Sequence, residues 1–483
     1  MKLPKRMGIS ILILLFLSVD LCYGQTELYE KGVEYGSLGK FDEAKGEFEK
    51  ALKVDPYSGG LKKHLRVIEY VNQQKIEADI AINYFKAIAY ASKKQWDQAI
   101  DECNKALEIN PKFFDAYINR GYVYYVKGQY DNAISDYNKA IEFYPEDPWF
   151  YLLRGNAYSF KSQYDNAISD YNKAIEINPE YPIAYYNRGN NYTIQGQYDS
   201  AISDYSKAIE INPEYAAAYN NRGSTYTQKG QYDNAISDYS KIIEINPRDP
   251  TAYYNRGTVH DKKGDYDRAI SDYSNAIDLN PEDPWFYLLR GNAYNSKGQY
   301  DNAISDYSKA IELNTEDTSF YILRGRAYIN KGQYDNAISD YSKVIELNPE
   351  DAVTYCIRGM VYAQKGQYDN AISDYSKAIE LNPEDAQGYN SLANLLATCP
   401  DDRYRNGVKA IELAEKALEI MEVGFIADTL AAAYAEAGRF EDAIMTQERA
   451  IALLQKEGSP INMIDIYVKH LNSYKAKKAW GEK

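Results

Sequence analysis

Residues 114–147 read FDAYINRGYVYYVKGQYDNAISDYNKAIEFYPED. Tyr117, Gly121 and Tyr124 stand at i, i+4 and i+7, the spacing of one face of a helix. Gly128 follows where a helix wants a left-handed residue at its end. Asp131 is placed to cap a second helix, which carries Ala133, Tyr137 and Ala140 along one face. Pro145 stops that helix, because proline lacks the amide hydrogen and its ring clashes with the preceding turn. The stretch is therefore a helix hairpin, and its glycine and alanines mark where the two helices approach closely. In some copies a capping acid and a proline at the first helical position open the next helix, as in Asp147-Pro148, Asp249-Pro250 and Asp283-Pro284.

The hairpin recurs. Gly121, Gly155, Gly189, Gly223, Gly257, Gly291, Gly325 and Gly359 repeat every 34 residues without a slip. A fixed period of this length marks a repeat array, in which each unit buries its apolar face only against its neighbours. With Phe114 as position 1, the pattern has an aromatic at position 4, Gly at 8, Tyr at 11, Ala at 20, an aromatic at 24, Ala at 27 and Pro at 32. It resembles the tetratricopeptide repeat. Residues 114–385 give eight such units, and residues 80–113 a ninth through Ala87, Tyr90, Ala99, Ala106 and Pro111. Together these make nine contiguous units over residues 80–385. Residues 25–58 form an N-terminal unit through Gly32, Tyr35, Ala44, Phe48, Ala51 and Pro56, and residues 59–79 read as an extra helix or helical spacer. Residues 386–457 hold two divergent units, with an insertion near 398–406 around Cys399, and residues 458–483 a capping helix and basic tail. The resemblance implies an all-α chain wound into a right-handed superhelical solenoid.

Positions 4, 11, 17 and 24 of the eight regular units hold 31 of the 50 tyrosines. They fall on inward faces and read as packing residues, as does His260, which stands where its sister units have tyrosine.

The resembled family usually has leucine at position 7. Here that position holds Arg120, Arg154, Arg188, Arg222, Arg256, Arg290, Arg324 and Arg358. Position 23 of the same units holds Asp136, Asp170, Asp204, Asp238, Asp272, Asp306, Asp340 and Asp374. The early units set Lys31 with Glu47 and Lys86 with Glu102; the late units set Leu392 with Leu413 and Leu430 with Thr446. Charge accompanies opposite charge and neutral accompanies neutral, so the two side chains are expected to form structural ion pairs, within a hairpin or across neighbours.

The net charge of −15 repels phosphate backbones, so the chain is not expected to bind nucleic acid. The four cysteines and three histidines show no metal-ligand or disulfide spacing, and no phosphate loop or nucleophile motif is present. Neither catalysis nor a cofactor or metal is expected. Lys2, Lys5 and Arg6 followed by the apolar run Ile9 to Val19 read as a signal peptide over residues 1–24, which implies an exported protein, periplasmic or secreted. Lipidation at Cys22 or retention of this segment as an anchor would instead bring the chain to a membrane.

The resemblance implies that the first helix of each hairpin lines a concave groove through positions 2, 5, 6, 9, 12 and 13. These positions are mostly uncharged. Asn119, Asn187, Asn221 and Asn255 occupy position 6; Tyr122, Asn156, Asn190, Asn292 and Arg326 occupy position 9; Trp149, Tyr186, Tyr254 and Trp285 add aromatics. An asparagine ladder offers donors and acceptors to the backbone of an extended peptide. The expected function is a scaffold that holds an extended segment of a protein partner in this groove. The alternative is a structural assembly component that uses its convex faces and the ends of the array.

Overall fold

The computed structural model describes residues 26–55 and 59–479; the expected signal segment with Cys22, and Pro56, lie outside them. Among the described residues every regular element is a helix. The chain divides into two compact units, one ending at Ile245 and one beginning at Asn246.

In the first unit, successive hairpins pair Ala78–Ser92 with Trp96–Ile109, Phe114–Val126 with Tyr130–Phe143, Pro148–Phe160 with Tyr164–Ile177, Pro182–Ile194 with Tyr198–Ile211, and Ala216–Gln228 with Tyr232–Ile245. Each second helix packs on the first helix of the next hairpin. The start departs from this rule. The hairpin Thr26–Ser37 and Phe41–Val54 is followed by a lone helix, Gly59–Asn72, which packs on Phe41–Val54, while Ala78–Ser92 packs on Thr26–Ser37. The second unit continues the alternation from Pro250–Lys262 with Tyr266–Leu279 to Gly424–Glu436 with Phe440–Lys456, and Ile461–Lys475 packs on the last of these. Both units are solenoids of helix hairpins.

The local chemistry explains the hairpin. Gly128 takes φ +74°; its N–H donates to Tyr125 O at 3.0 Å and the Gln129 N–H to Tyr124 O at 2.8 Å. This pair of bonds satisfies the last carbonyls of the first helix and reverses the chain. The second helix begins at Tyr130, and Asp131 does not cap it; Asp131 sits in its first turn and accepts from Lys161 Nζ of the next hairpin at 2.5 Å. The carboxylate is thus drawn to a cation on the neighbouring repeat. The Asp-Pro starts do cap, with Asp147, Asp249 and Asp283 accepting from the N–H two residues on at 2.9 Å.

Inside each hairpin the tyrosine at position 24 is buried against the glycine at position 8. A Cβ on Gly189 would stand 2.8 Å from the Tyr205 ring. Where position 24 is smaller, position 8 carries alanine: Ala87 with Cys103, and Ala431 with Gln447. We expect Gly189→Ala to cost about 1–3 kcal/mol, the usual penalty for overpacking. In a Tyr205→Cys background the same change should cost little, which denaturant unfolding of the four proteins measures.

The insertion folds back on the array. Residues Asp402–Tyr404 form a short 3-10 turn, the Tyr404 hydroxyl donates to Asp369 Oδ2 at 2.7 Å, and Cys399 is buried. Burial raises the Cys399 thiol above its ordinary value, so this thiol is a packing group. At the far end, Gln447 replaces the usual tyrosine and donates to Asp428 Oδ1 at 2.7 Å and to Tyr467 O at 3.1 Å. His470 Nδ1 lies 2.7 Å from the same Asp428 oxygen, which ties the last helix to the array.

Candidate partner-binding face

The arginines set the geometry of the face, because each one fastens three helices. Arg222 Nε donates to Asp238 Oδ2 at 2.9 Å and Nη2 to Asp238 Oδ1 at 2.6 Å. The same two-pronged pairing joins Arg120 to Asp136, Arg154 to Asp170, Arg188 to Asp204, Arg256 to Asp272, Arg290 to Asp306, Arg324 to Asp340 and Arg358 to Asp374. The remaining nitrogen, Nη1, reaches back to the second helix of the preceding hairpin, for example to Asn172 from Arg188 and to Ser206 from Arg222. Each guanidinium also lies over the ring of the tyrosine three residues before it, as Arg222 does over Tyr219 at 5.5 Å. A guanidinium fork matches a carboxylate in this way, and a lysine does not. Accordingly the early lysine pair behaves differently: Lys31 donates to Glu27 on its own helix at 2.7 Å, while Glu47 and Glu102 take Lys50 and Lys105.

The aspartates are buried. Desolvation holds the Asp136, Asp170, Asp204, Asp238 and Asp340 carboxyls above their ordinary value, against the pull of the facing arginines. Burial therefore takes back much of what the pairing gives.

On the first helices, positions 6 and 9 of adjacent hairpins meet. Asn187 Nδ2 donates to Asn156 Oδ1 at 2.9 Å, and that oxygen also accepts from the Tyr171 hydroxyl at 2.8 Å. One repeat on, Asn221 Nδ2 donates to Asn190 Oδ1 at 2.8 Å and to the Tyr186 hydroxyl at 3.1 Å, and Asn190 Oδ1 accepts from Tyr205 at 2.8 Å. These amides run their hydrogen bonds along the array and stitch one first helix to the next. They are not a row of open amides, because the repeat spacing sets each against its neighbour. Asn255, Tyr122 and Tyr254 are half-buried on the same face. Asn221→Ala is thus expected to destabilise the first unit by about 1–3 kcal/mol, since it strips partners from buried polar groups; thermal unfolding reads this directly.

At its N-terminal end the face is covered by the chain itself. Lys63, from Gly59–Asn72, donates to Asn119 Oδ1 at 3.2 Å and lies 3.5 Å from Asp115 Oδ1. Arg66 Nη2 reaches that oxygen at 3.2 Å, and its guanidinium stands 5.1 Å from the Phe114 ring centre. Asp115 is 0% exposed, whereas Trp149, Trp285 and Val353 at the same repeat position are 37%, 44% and 57% exposed. Tyr84 and Phe85 are buried under the same helix. Sequence reasoning missed this cover. The signal was Asp115 itself, an acid where the sister units have Trp, Ile, Ala, Thr, Ser or Val, together with the basic run Lys62, Lys63, His64 and Arg66.

Beyond that cover the face is open. Trp149 and Trp285 project from it, the Trp285 ring standing edge-on to Phe320 at 5.8 Å. Asn292 Oδ1 accepts from Tyr307 at 2.8 Å, and Arg326 is exposed. Among the described residues no group of three or more His, Cys, Asp or Glu is arranged to hold a metal, and no helix is long and apolar enough to cross a membrane.

Comparison with known families settles what these hairpins are. A family model described as TPR repeat matches residues 88–128, 121–159, 161–192, 189–226, 223–264, 291–332 and 325–366. The chain belongs to the tetratricopeptide repeat family. Models described as tetratricopeptide repeat add residues 28–58, 250–283, 273–305 and 352–385. A tetratricopeptide repeat chain of this kind is a protein-interaction scaffold. No curated protein matches it. Among solved structures it is similar to YrrB, described as a TPR protein with an unusual peptide-binding site, at 28% identity over 38% of this chain and 95% of that one, with a TM-score of 0.34. The C-terminal part of a TPR repeat-containing protein from Cytophaga hutchinsonii is 24% identical over 51% of this chain and 99% of that one, with a TM-score of 0.45. Yeast Tom70 is 18% identical over 82% of this chain and 96% of that one, with a TM-score of 0.37.

Proposed function

We propose that this tetratricopeptide repeat chain holds an extended segment of a protein partner along its first-helix face. The observation that carries the reading is the helix Gly59–Asn72. The chain already seats a polypeptide segment of its own on that face, and in doing so buries Asp115 completely. The uncovered remainder carries exposed Trp149, Trp285, Val353 and Met360 on a face with few charges. Aromatic and apolar anchors of this kind contribute most of the energy of a protein interface. The basic n-region and apolar run over residues 1–24 support export, to a periplasm or the extracellular space.

A photo-crosslinking residue at position 285 tests the reading against the same residue at Glu312, an exposed site on a second helix. Full-length chain is exposed to an extract of its source cells and irradiated. A partner captured from position 285 and absent from position 312 supports the groove; capture from 312 alone moves the interface to the second helices.

A second reading, self-assembly through the array end, is favoured by exposed Met445, Ile461, Met463 and Ile466 near the last helix. Concentration-dependent mass that disappears in Ile461→Glu would support it, measured by light scattering after gel filtration.

A further inference from the structure

In the regular hairpins the tyrosine at position 24 gives its hydroxyl proton to position 9 of the same unit. Tyr171 bonds Asn156, Tyr205 bonds Asn190, Tyr273 bonds Thr258 and Tyr307 bonds Asn292. The next hairpin breaks the rule, because its position 9 is Arg326. A guanidinium has five donors and no acceptor. The Tyr341 hydroxyl is consequently buried without a hydrogen-bond partner, in a residue 0% exposed. Arg326 is exposed and makes no salt bridge among the described residues, in a chain of net charge −15. It lies near enough to the Tyr341 hydroxyl to oppose the burial that pushes this phenol up to about 12.

The neighbouring amide adds a further donor. Asn292 Oδ1 is taken by Tyr307, and the residue that would engage Asn292 from the next hairpin is Leu323, where Asn187 and Asn221 stand in earlier repeats. The amide nitrogen of Asn292 is therefore not drawn into the stitching between first helices. Arg326, Tyr341 and Asn292 together leave donors without acceptors, the complement of a carboxylate. Apolar side chains flank them along the face: Trp285 on one side, Val353 and Met360 on the other, all exposed.

We propose that Arg326, with Asn292 and Tyr341, forms an anion subsite on the first-helix face that takes the carboxylate of an acidic side chain in a bound protein segment, with apolar residues of that segment on Trp285 and on Val353 and Met360. This rests on the groove reading above and names its ligand chemistry. The Tyr341 hydroxyl is engaged when the guanidinium moves from above it toward the carboxylate.

The test is selection of phage-displayed random peptides on full-length chain, on Arg326→Gln and on Tyr341→Phe, with each protein first shown folded by circular dichroism. The parent is expected to select peptides with Glu or Asp at one fixed place between apolar residues. Changing that Glu to Gln in the best peptide should weaken binding roughly tenfold or more, the range of a charge-assisted hydrogen bond. Arg326→Gln should lose the same factor for the Glu peptide and none for the Gln peptide, and Tyr341→Phe a smaller part of it. Selected peptides without an acidic preference, or a preference that survives in Arg326→Gln, overturn the subsite and leave the groove reading standing. No selected peptide at all overturns both. Sodium sulfate is the remaining arm: stabilisation of the parent by millimolar sulfate, lost in Arg326→Gln, with no acidic peptide selected, makes this a free-anion site and overturns the proposal.

Discussion

Arg222→Leu alone is expected to lower the stability of the first unit by roughly 3–5 kcal/mol, the cost of leaving a buried charge without its partner. Asp238 is buried, and two of its contacts are the Arg222 nitrogens at 2.6 and 2.9 Å. Without them the carboxylate must take up a proton or draw in water. Arg222→Leu with Asp238→Leu should recover most of the loss, to within about 1 kcal/mol of the parent, because both desolvation penalties vanish with the charges. The chain itself contains this solution: Leu392 and Leu413 occupy the corresponding places in a late hairpin and lie buried in one apolar cluster. The site is well chosen, since Ser206, the third partner of Arg222, keeps its own bond to Ile202 O at 2.6 Å. Urea unfolding of the parent, both single variants and the double gives the coupling. A double variant as unstable as Arg222→Leu would refute an ion pair that is costly to halve and cheap to remove.

Acid should loosen the start of the array before the regular repeats. His64 lies between the hydroxyls of Tyr29, at 3.3 Å, and Tyr84, at 2.9 Å, with the Phe48 ring 5.2 Å away. Burial, and after it the charge of Lys63, lowers its imidazole from 6.5 to about 3. The unfolded imidazole takes up a proton near 6.5 while the folded one stays neutral, so the unfolded state binds more protons and stability falls as pH drops below 6.5. From pH 7 to pH 5 the loss is roughly 2 kcal/mol, and it grows toward pH 3. The raised aspartates lie nearer the ordinary carboxylate range and act in the opposite sense, so His64 dominates between pH 6.5 and 5. Hydrogen exchange of Gly59–Asn72 at several pH values should show this slope, and His64→Gln should abolish it. An unchanged slope in that variant would place the sensitivity elsewhere.

The hairpin, its period and the residues that pair across it were legible because the same physics is written many times over. Tyr137 and its counterparts cannot pack unless glycine faces them, and an arginine at position 7 cannot be buried unless an acid faces it. A constraint repeated at a fixed spacing shows itself in one sequence. The signal does not carry the single events. Asp115 and Lys63 meet only because Gly59–Asn72 leaves the repeat and lies across the face, and a contact made once has no period. The asparagines illustrate the same limit. Their spacing along one helix was plain, but whether Asn187 turns toward a ligand or toward Asn156 depends on how adjacent first helices are set against each other. Arg326 was visible as an oddity at position 9, yet its consequence, the unbonded Tyr341 hydroxyl, emerged only beside the four hairpins where that bond is made.

The claim on which the account rests is that the first-helix face of the second unit holds a protein segment. Hydrogen–deuterium exchange of the full chain, free and bound to the partner captured at position 285, tests it most directly. The account predicts slowed exchange in Pro284–Ser296, Thr318–Asn330 and Ala352–Gln364, with Tyr300–Leu313 and Tyr334–Leu347 unchanged. Protection confined to those second helices, or to Ile461–Lys475, would contradict it.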